Sequence, residues 1–293
     1  MLGSLGPVAT GAQLVERGIS VRQLARAVAD GTILRIRRAH YALPTVDPDC
    51  ATAIRLGGRL GGISAARSYG WWDGDDTAIH VSWPDHGNVA KPGRPLFASP
   101  EKLTADGRMI VRHWRILREE STEERACWRE TPEQTLAQVL LSCDKLTAIA
   151  CADSAIRTGV LSPFQVAAVF AAMPHRVRSW HRYVDGLPDS GTESMVSVWL
   201  QDRGIPYVIH PSIRDVGEVD FLVGTSLIIE AQSKAHHDGP RERHRDYLRA
   251  TAAAAQGYIT MHLDYAQIMY MWPACERQIL EHMARGDHRR VIR

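Results

Sequence analysis

The sequence predicts an α/β chain built from three parts: an N-terminal helix-turn-helix with a basic hairpin, a helical and β middle segment, and a C-terminal sheet flanked by helices. Three observations predict it. Two short helical patterns closed by Gly18 and Gly31 precede the alternating basic stretch Ile33 to Leu43. Capped helical patterns beginning at Thr131 and Ser162 carry apolar faces through the middle. The last third runs helix, three strands, helix, strand. The boundaries that follow are 1–45, 46–187 and 188–293.

Composition narrows the class. The chain has 293 residues, 45% of them hydrophobic, which favours more than one packed core and excludes wholesale disorder. No apolar run reaches the roughly 18 to 20 residues of a membrane span. The first residues lack the basic start and apolar core of a signal peptide, so the expectation is a cytoplasmic protein without a membrane partner. Cys50, Cys127, Cys143, Cys151 and Cys275 are scattered and odd in number, which argues against a zinc or disulfide frame; Cys143 and Cys151 read as small core residues. The net charge of +2 says little, but its distribution does. Within the first 45 residues Arg17, Arg22, Arg26, Arg35, Arg37 and Arg38 face only Glu16 and Asp30.

Residues 9–17 form the first helix candidate. Ser20 caps a second, VRQLARAVAD, with Val21, Leu24, Ala25 and Val28 on one face and Arg22 and Arg26 one turn apart on another. The second helix of such a pair is the one that enters a DNA major groove. The basic hairpin behind it makes the unit a winged helix, with Arg35, Arg37 and Arg38 placed to contact phosphates. A small interaction domain with a solvated basic edge is the alternative. The stretch from Gly18 to Pro44 resembles the N-terminal domain of AbiEi-type antitoxins and related regulators, which implies DNA as a partner.

The middle segment carries structure rather than chemistry. Residues 50–72 look helical, and Trp71-Trp72 is either a base-stacking platform or, more commonly, a core anchor. Ile79–Trp83 and Met109–Trp114 alternate as strands. His80, His113 and His175 show no ligand spacing. Thr131 and Ser162 each open a helix with Pro at its first position and Gln returning a capping box. Leu136, Val139, Leu140, Leu146, Ile149, Ala150 and Ala155 then form a helical layer.

The C-terminal part is organised around Glu218 to His237. Val219, Phe221 and Val223 alternate on one strand, and Leu227, Ile229 and Ala231 on the next. A loop of Gly224-Thr225-Ser226 pairs 223 with 227, so Asp220 and Glu230 fall side by side, with Gln232 on the same face. Two adjacent carboxylates repel unless a cation or a proton lies between them. Either both acids reach solvent at the sheet rim, or a hard cation such as Mg²⁺ neutralises them. Helix Ser190 to Arg203 and strand Tyr207–Ile209 precede this hairpin. Following it are a helix from Pro240 with Arg241, Arg245 and Arg249 at one-turn intervals, strand Tyr258–Leu263, and a last helix from Pro273 to Ala284. Glu193 has two readings: a cap returning to the Ser190 backbone, or an acid near the hairpin pair.

The order Glu193, Asp220, Glu230-x-Gln232, Ser233, His237 and Arg245-Asp246 resembles the PD-(D/E)XK nuclease superfamily, and more narrowly the actinobacterial branch with a very-short-patch-repair-like endonuclease domain. The resemblance covers about Ser190 to the chain end. It implies a restriction-endonuclease-like mixed sheet with helices on both faces. It also implies Mg²⁺ or Mn²⁺ on Asp220 and Glu230, with Glu193, Gln232 and His237 at the catalytic site and Arg245 on a phosphate. The third motif position is usually Lys; Gln232 can share hydrogen bonds but carries no charge and is no base. Lys234 is a further candidate for that charge. The chain is thus expected to be either a Mg²⁺-dependent DNA endonuclease, in phage or mobile-element defence, or a non-catalytic DNA-binding regulator on the same fold. Further partners left open are a second copy of the chain and a toxin or defence-system protein.

Overall fold

A computed structural model describes residues 5–83, 107–114, 116–117, 127–233 and 240–292, the side chains of 240–243 and 246 excepted. The chain is mixed α/β and divides into two compact units, Met1–His181 and Arg182–Arg293.

The first unit opens with strand β1 (Val8–Thr10), helices α1 (Gly11–Glu16) and α2 (Val21–Ala29), and strands β2 (Leu34–Arg37) and β3 (His40–Ala42). The three strands form an antiparallel sheet in the order β1-β3-β2. The helix expected over 9–17 is shorter, because Val8 to Thr10 pair with β3 and Thr10 serves instead as its cap. Thr10 and Ser20 both close capping boxes, with Gln13 and Gln23. On α2 only Leu24 is fully buried; Val21 and Ala25 of the expected face are exposed, since the first-turn side of this short helix turns outward.

Val8 and Ala42 pack into one core with Cys50, Ala53 and Ile54 of α3 (Pro48–Arg55), Leu60 of β4 (Arg59–Leu60) and Ala65 of α4 (Gly62–Ser68). The continuous helix expected over 50–72 is therefore broken. Gly58 is the physical reason: a Cβ there would lie 2.6 Å from the Ser82 carbonyl oxygen, so the backbone passes against strand β5 (Ile79–Trp83) where no side chain fits. β4 pairs antiparallel and β6 (Ile110–Trp114) parallel with β5. Trp71 is buried and stacks on Tyr69 with ring centroids 5.2 Å apart, as a core anchor. His80 and His113 are buried in a chain: His80 Nδ1 is 2.8 Å from His113 Nε2, and His80 Nε2 is 3.0 Å from Asp76. His175 is exposed.

Helices α5 (Pro132–Ser142), α6 (Lys145–Arg157), α7 (Pro163–Ala171) and α8 (His175–Arg178) complete the unit. Leu136, Val139, Leu140, Ile149, Ala150 and Ala155 are fully buried among them. Ser162 and Gln165 make the expected capping box. At α5 the box is open: Thr131 accepts from the Gln134 N–H, but the Gln134 side chain bonds the backbone of Ile116 and Leu117. A tertiary partner has outcompeted the local one.

In the second unit, α9 (Gly191–Asp202) is followed by β7 (Tyr207–Ile209), the short pair β8 (Ser212–Ile213) and β9 (Gly217–Glu218), then β10 (Phe221–Val223) and β11 (Leu227–Ala231). Next come α10 (Pro240–Gln256), β12 (Ile259–Leu263), α11 (Tyr265–Tyr270) and α12 (Trp272–Ala284). The main sheet runs β12-β11-β10-β7, with β11 and β12 parallel and the other pairs antiparallel. Glu218 belongs to the β8–β9 pair rather than to the β10 hairpin, and Val219 correspondingly leaves the Phe221 face to pack with Ile213, Val216, Ile228 and Ala253. The turn after β10 is held from outside: the Thr225 N–H donates to the His288 carbonyl at 2.8 Å and the Ser226 hydroxyl to that of Asp287 at 2.7 Å. Among the described residues no helix is long and apolar enough to cross a membrane.

Candidate functional site

β10 and β11 pair with Val223 opposite Leu227, Leu222 opposite Ile228 and Phe221 opposite Ile229. The next step brings Asp220 against Glu230. The two residues are latched through the backbone: Asp220 Oδ2 accepts from the Ala231 N–H at 2.7 Å, and Glu230 Oε2 accepts from the Asp220 N–H at 3.3 Å. Extending the row across the sheet adds a residue on each side. The His210 N–H donates to the Asp220 carbonyl at 3.0 Å at the end of β7, and His262 of β12 stands opposite Glu230. Four strands therefore present His210, Asp220, Glu230 and His262 at one level.

Glu193 enters from the first turn of α9, 5% exposed. Its carboxylate does not return to the Ser190 backbone N–H. It accepts instead from the Ser190 hydroxyl at 2.8 Å and from the Asp189 N–H at 2.8 Å, and lies 2.9 Å from His210 Nε2. The helix start and the sheet edge thus share one acid. His210 has φ of +50°, a left-handed conformation uncommon for a side chain of its size, which its bond to the Asp220 carbonyl helps to hold.

Glu193, Asp220, Glu230 and His262 line a cleft of about 800 Å³, whose far wall is α10. Arg249 of α10 donates from Nε to the Val216 carbonyl at 2.9 Å and from Nη2 to the Glu218 carbonyl, and Nη2 lies 3.5 Å from Glu230 Oε1. Arg245, one turn earlier, is exposed and also lines the cleft. Gln232 is exposed at the cleft while its backbone N–H donates to the Leu263 carbonyl at 2.9 Å. His237, with Lys234 and His236, lies outside the described residues.

Crowding of acids dominates the electrostatics. Burial, and then the charge of Asp220, push the Glu230 carboxyl up to about 7 against the pull of Arg249. Burial also raises Asp220, and burial with the Asp220 charge raises Glu193. His210 is raised too: burial acts to lower it, but the hydrogen bond and charge of Glu193, with Asp189 and Glu218, outweigh that. Oxygen donors that repel one another fit a hard divalent cation such as Mg²⁺ or Mn²⁺. Among the described residues no group of three or more His, Cys, Asp or Glu side chains is gathered to hold an ion. The Asp220–Glu230 pair offers the one or two carboxylates that Mg²⁺ ordinarily takes beside water and phosphate.

In the first unit, Arg22 and Arg26 of α2 and Arg35, Arg37 and Arg38 of the β2–β3 hairpin are all exposed. Ala39, at the hairpin tip, has φ of +61° and its carbonyl accepts from the Gly11 N–H at 2.8 Å, which ties the tip to α1.

Sequence reasoning missed His210, His262 and the anchored role of Arg249. Strand register is the one signal that reaches two of them: the β7 and β12 patterns each end in an apolar–His–X step that lands on the acid row. Comparison of the chain with models of known protein families and with curated proteins finds no match.

Proposed function

We propose that this chain is a Mg²⁺-dependent DNA endonuclease of the PD-(D/E)XK kind, carrying an N-terminal winged helix that holds DNA. The observation that carries this reading is the Asp220–Glu230 pair, fixed side by side at a cleft of about 800 Å³. Support also comes from the order α9, β7, β10, β11, α10, β12 around a mixed sheet and from five exposed arginines on the N-terminal helix and hairpin. A setting in phage or mobile-element defence rests on the likeness to antitoxin and repair modules alone.

Asp220 and Glu230 would hold the cation, which when bound polarises a phosphoryl oxygen and makes a coordinated water more acidic. The chain's own residues do the rest. In hydrolysis a water oxygen bonds to phosphorus, the bond to the leaving sugar oxygen breaks, the water gives up a proton and the leaving oxygen gains one. His262, opposite Glu230 in the β11–β12 pair, offers one group for that proton exchange, and the resemblance implies His237 as another. Glu193 and His210 brace the Asp220 end of the row.

A second reading has its own observation. Gln232 presents an uncharged amide to the cleft where the family places a lysine, which favours a DNA-binding regulator whose nuclease fold is only a scaffold. Incubating the purified chain with plasmid, mismatched and single-stranded DNA in Mg²⁺ or Mn²⁺ separates the two. The endonuclease reading expects cleavage that Asp220→Ala and Glu230→Ala each abolish. Cleavage indifferent to both substitutions, or none on any substrate, sinks it.

A further inference from the structure

We infer that Arg249 supplies, from helix α10, the positive charge at the reacting phosphate that Gln232 on the sheet leaves missing. This deepens the endonuclease reading and rests on it.

Gln232 lies just past the end of β11, where its backbone is fixed to Leu263 and its side chain reaches the cleft without charge. With a divalent cation offsetting the two carboxylates, the phosphate still brings its own negative charge, and hydrolysis adds more as the attacking oxygen arrives. Something must offset it in the transition state. Two described arginines line the cleft, and they differ in kind. Arg245 is exposed on a helix face, where a long side chain samples many rotamers. Arg249 is half-buried and clamped by the carbonyls of Val216 and Glu218, one on each side of Gly217. Those bonds fix the plane of its guanidinium and leave it 3.5 Å from the Glu230 carboxylate.

A clamped guanidinium costs no reorganisation when charge develops, and its delocalised charge persists while Nε and Nη2 are engaged by the carbonyls. The β8–β9 hairpin, outside the main sheet, gains a purpose from this: the carbonyls of Val216 in its turn and of Glu218 in β9 aim the arginine. Arginine does not give up its proton near neutral pH, so it acts as a charge and never as the base. The attacking water must pass its proton elsewhere.

Relocation of the charge tests this. Wild type, Arg249→Gln, Arg249→Lys and the double variant Gln232→Lys/Arg249→Gln are compared for cleavage of labelled DNA in Mg²⁺ and Mn²⁺. Binding of the same DNA in Ca²⁺ by fluorescence anisotropy and the thermal unfolding midpoint are recorded beside it. Arg249→Gln is expected to lose about 100-fold or more in kcat, the cost of removing one preorganised donor, with DNA binding changed only a few-fold. Arg249→Lys falls less. Lysine at 232 stands on the sheet rather than on α10, so recovery of about tenfold or more in the double variant, with an unfolding midpoint no higher than that of Arg249→Gln, marks a charge role rather than a restored structural bond. Wild-type cleavage with Arg249→Gln equally active, or a double variant that folds and recovers nothing, overturns the inference while leaving the endonuclease reading standing. If Arg249→Gln fails to fold, Arg249→Lys decides: full activity with the charge kept supports the inference, and loss as complete as in Asp220→Ala refutes it. A wild type that never cleaves removes the endonuclease reading and this inference with it.

Discussion

Asp220 and Glu230 hold each other through backbone N–H groups, Asp220 Oδ2 accepting from the Ala231 N–H at 2.7 Å and Glu230 Oε2 from the N–H of Asp220 itself at 3.3 Å. Two half-buried acids are thereby locked at short range, and Arg249, 3.5 Å from Glu230, offsets only part of their repulsion, a strain that a cation or a proton removes. Glu230→Gln should therefore raise the stability of the metal-free protein near neutral pH by about 1 kcal/mol while abolishing cleavage. In wild type, Mg²⁺ at a hundredfold excess over its Kd should add about 2.7 kcal/mol, an increment the variant loses. Thermal denaturation in EDTA and in Mg²⁺ measures both, and a Glu230→Gln protein less stable than wild type in EDTA contradicts the account.

Acid and alkali should act on the two units in opposite senses. Burial, then the neighbouring His80, hold His113 down at about 3 from an ordinary 6.5. The unfolded chain takes up that proton first, so this contribution is whole above pH 6.5 and declines as pH falls toward 3. Glu230 is the reverse, raised from 4.5 to about 7: its contribution is whole below pH 4.5 and is lost as pH rises through 7. The raised His210 shifts the same way as Glu230. Hydrogen exchange of the full chain without metal, followed by peptide, should show β5 and β6 weakening in acid, and β10 and β11 weakening as pH passes neutrality.

Gly224 is irreplaceable for two reasons. Its φ is +62°, and a Cβ would stand 2.1 Å from the His288 carbonyl oxygen, which is backbone and cannot rotate away. Gly224→Ala should cost roughly 3 kcal/mol or more in chemical denaturation, through strain at the turn and displacement of the Asp287–Arg289 segment. By moving the register-setting turn, it should also depress cleavage more than a surface substitution does.

Neutralising Arg35, Arg37 and Arg38 together should weaken DNA binding uniformly across sequences. The slope of log K against log salt should flatten by about 0.9 for each phosphate that these arginines no longer neutralise. Fluorescence anisotropy across a salt series reads both, and an unchanged slope would exclude the hairpin from the DNA interface.

The sequence alone determined the register of the central hairpin. A three-residue turn built on glycine between two apolar alternations pairs 223 with 227, and that pairing fixes where Asp220 and Glu230 meet. It likewise determined the caps at Ser20 and Ser162, because capping boxes span only three residues. Tertiary structure decided what depends on approach between distant segments. Gln134 abandoned its own helix start for residues 116 and 117, and Gly58 let a strand interrupt an expected helix. Glu193 turned from the Ser190 backbone to His210, seventeen residues away, and Arg249 was set on the carbonyls of a hairpin more than thirty residues earlier. Local patterns specify bonds within a turn or a strand pair, whereas a site assembled from α9, β7, β11 and α10 exists only once hydrophobic burial has brought those elements together.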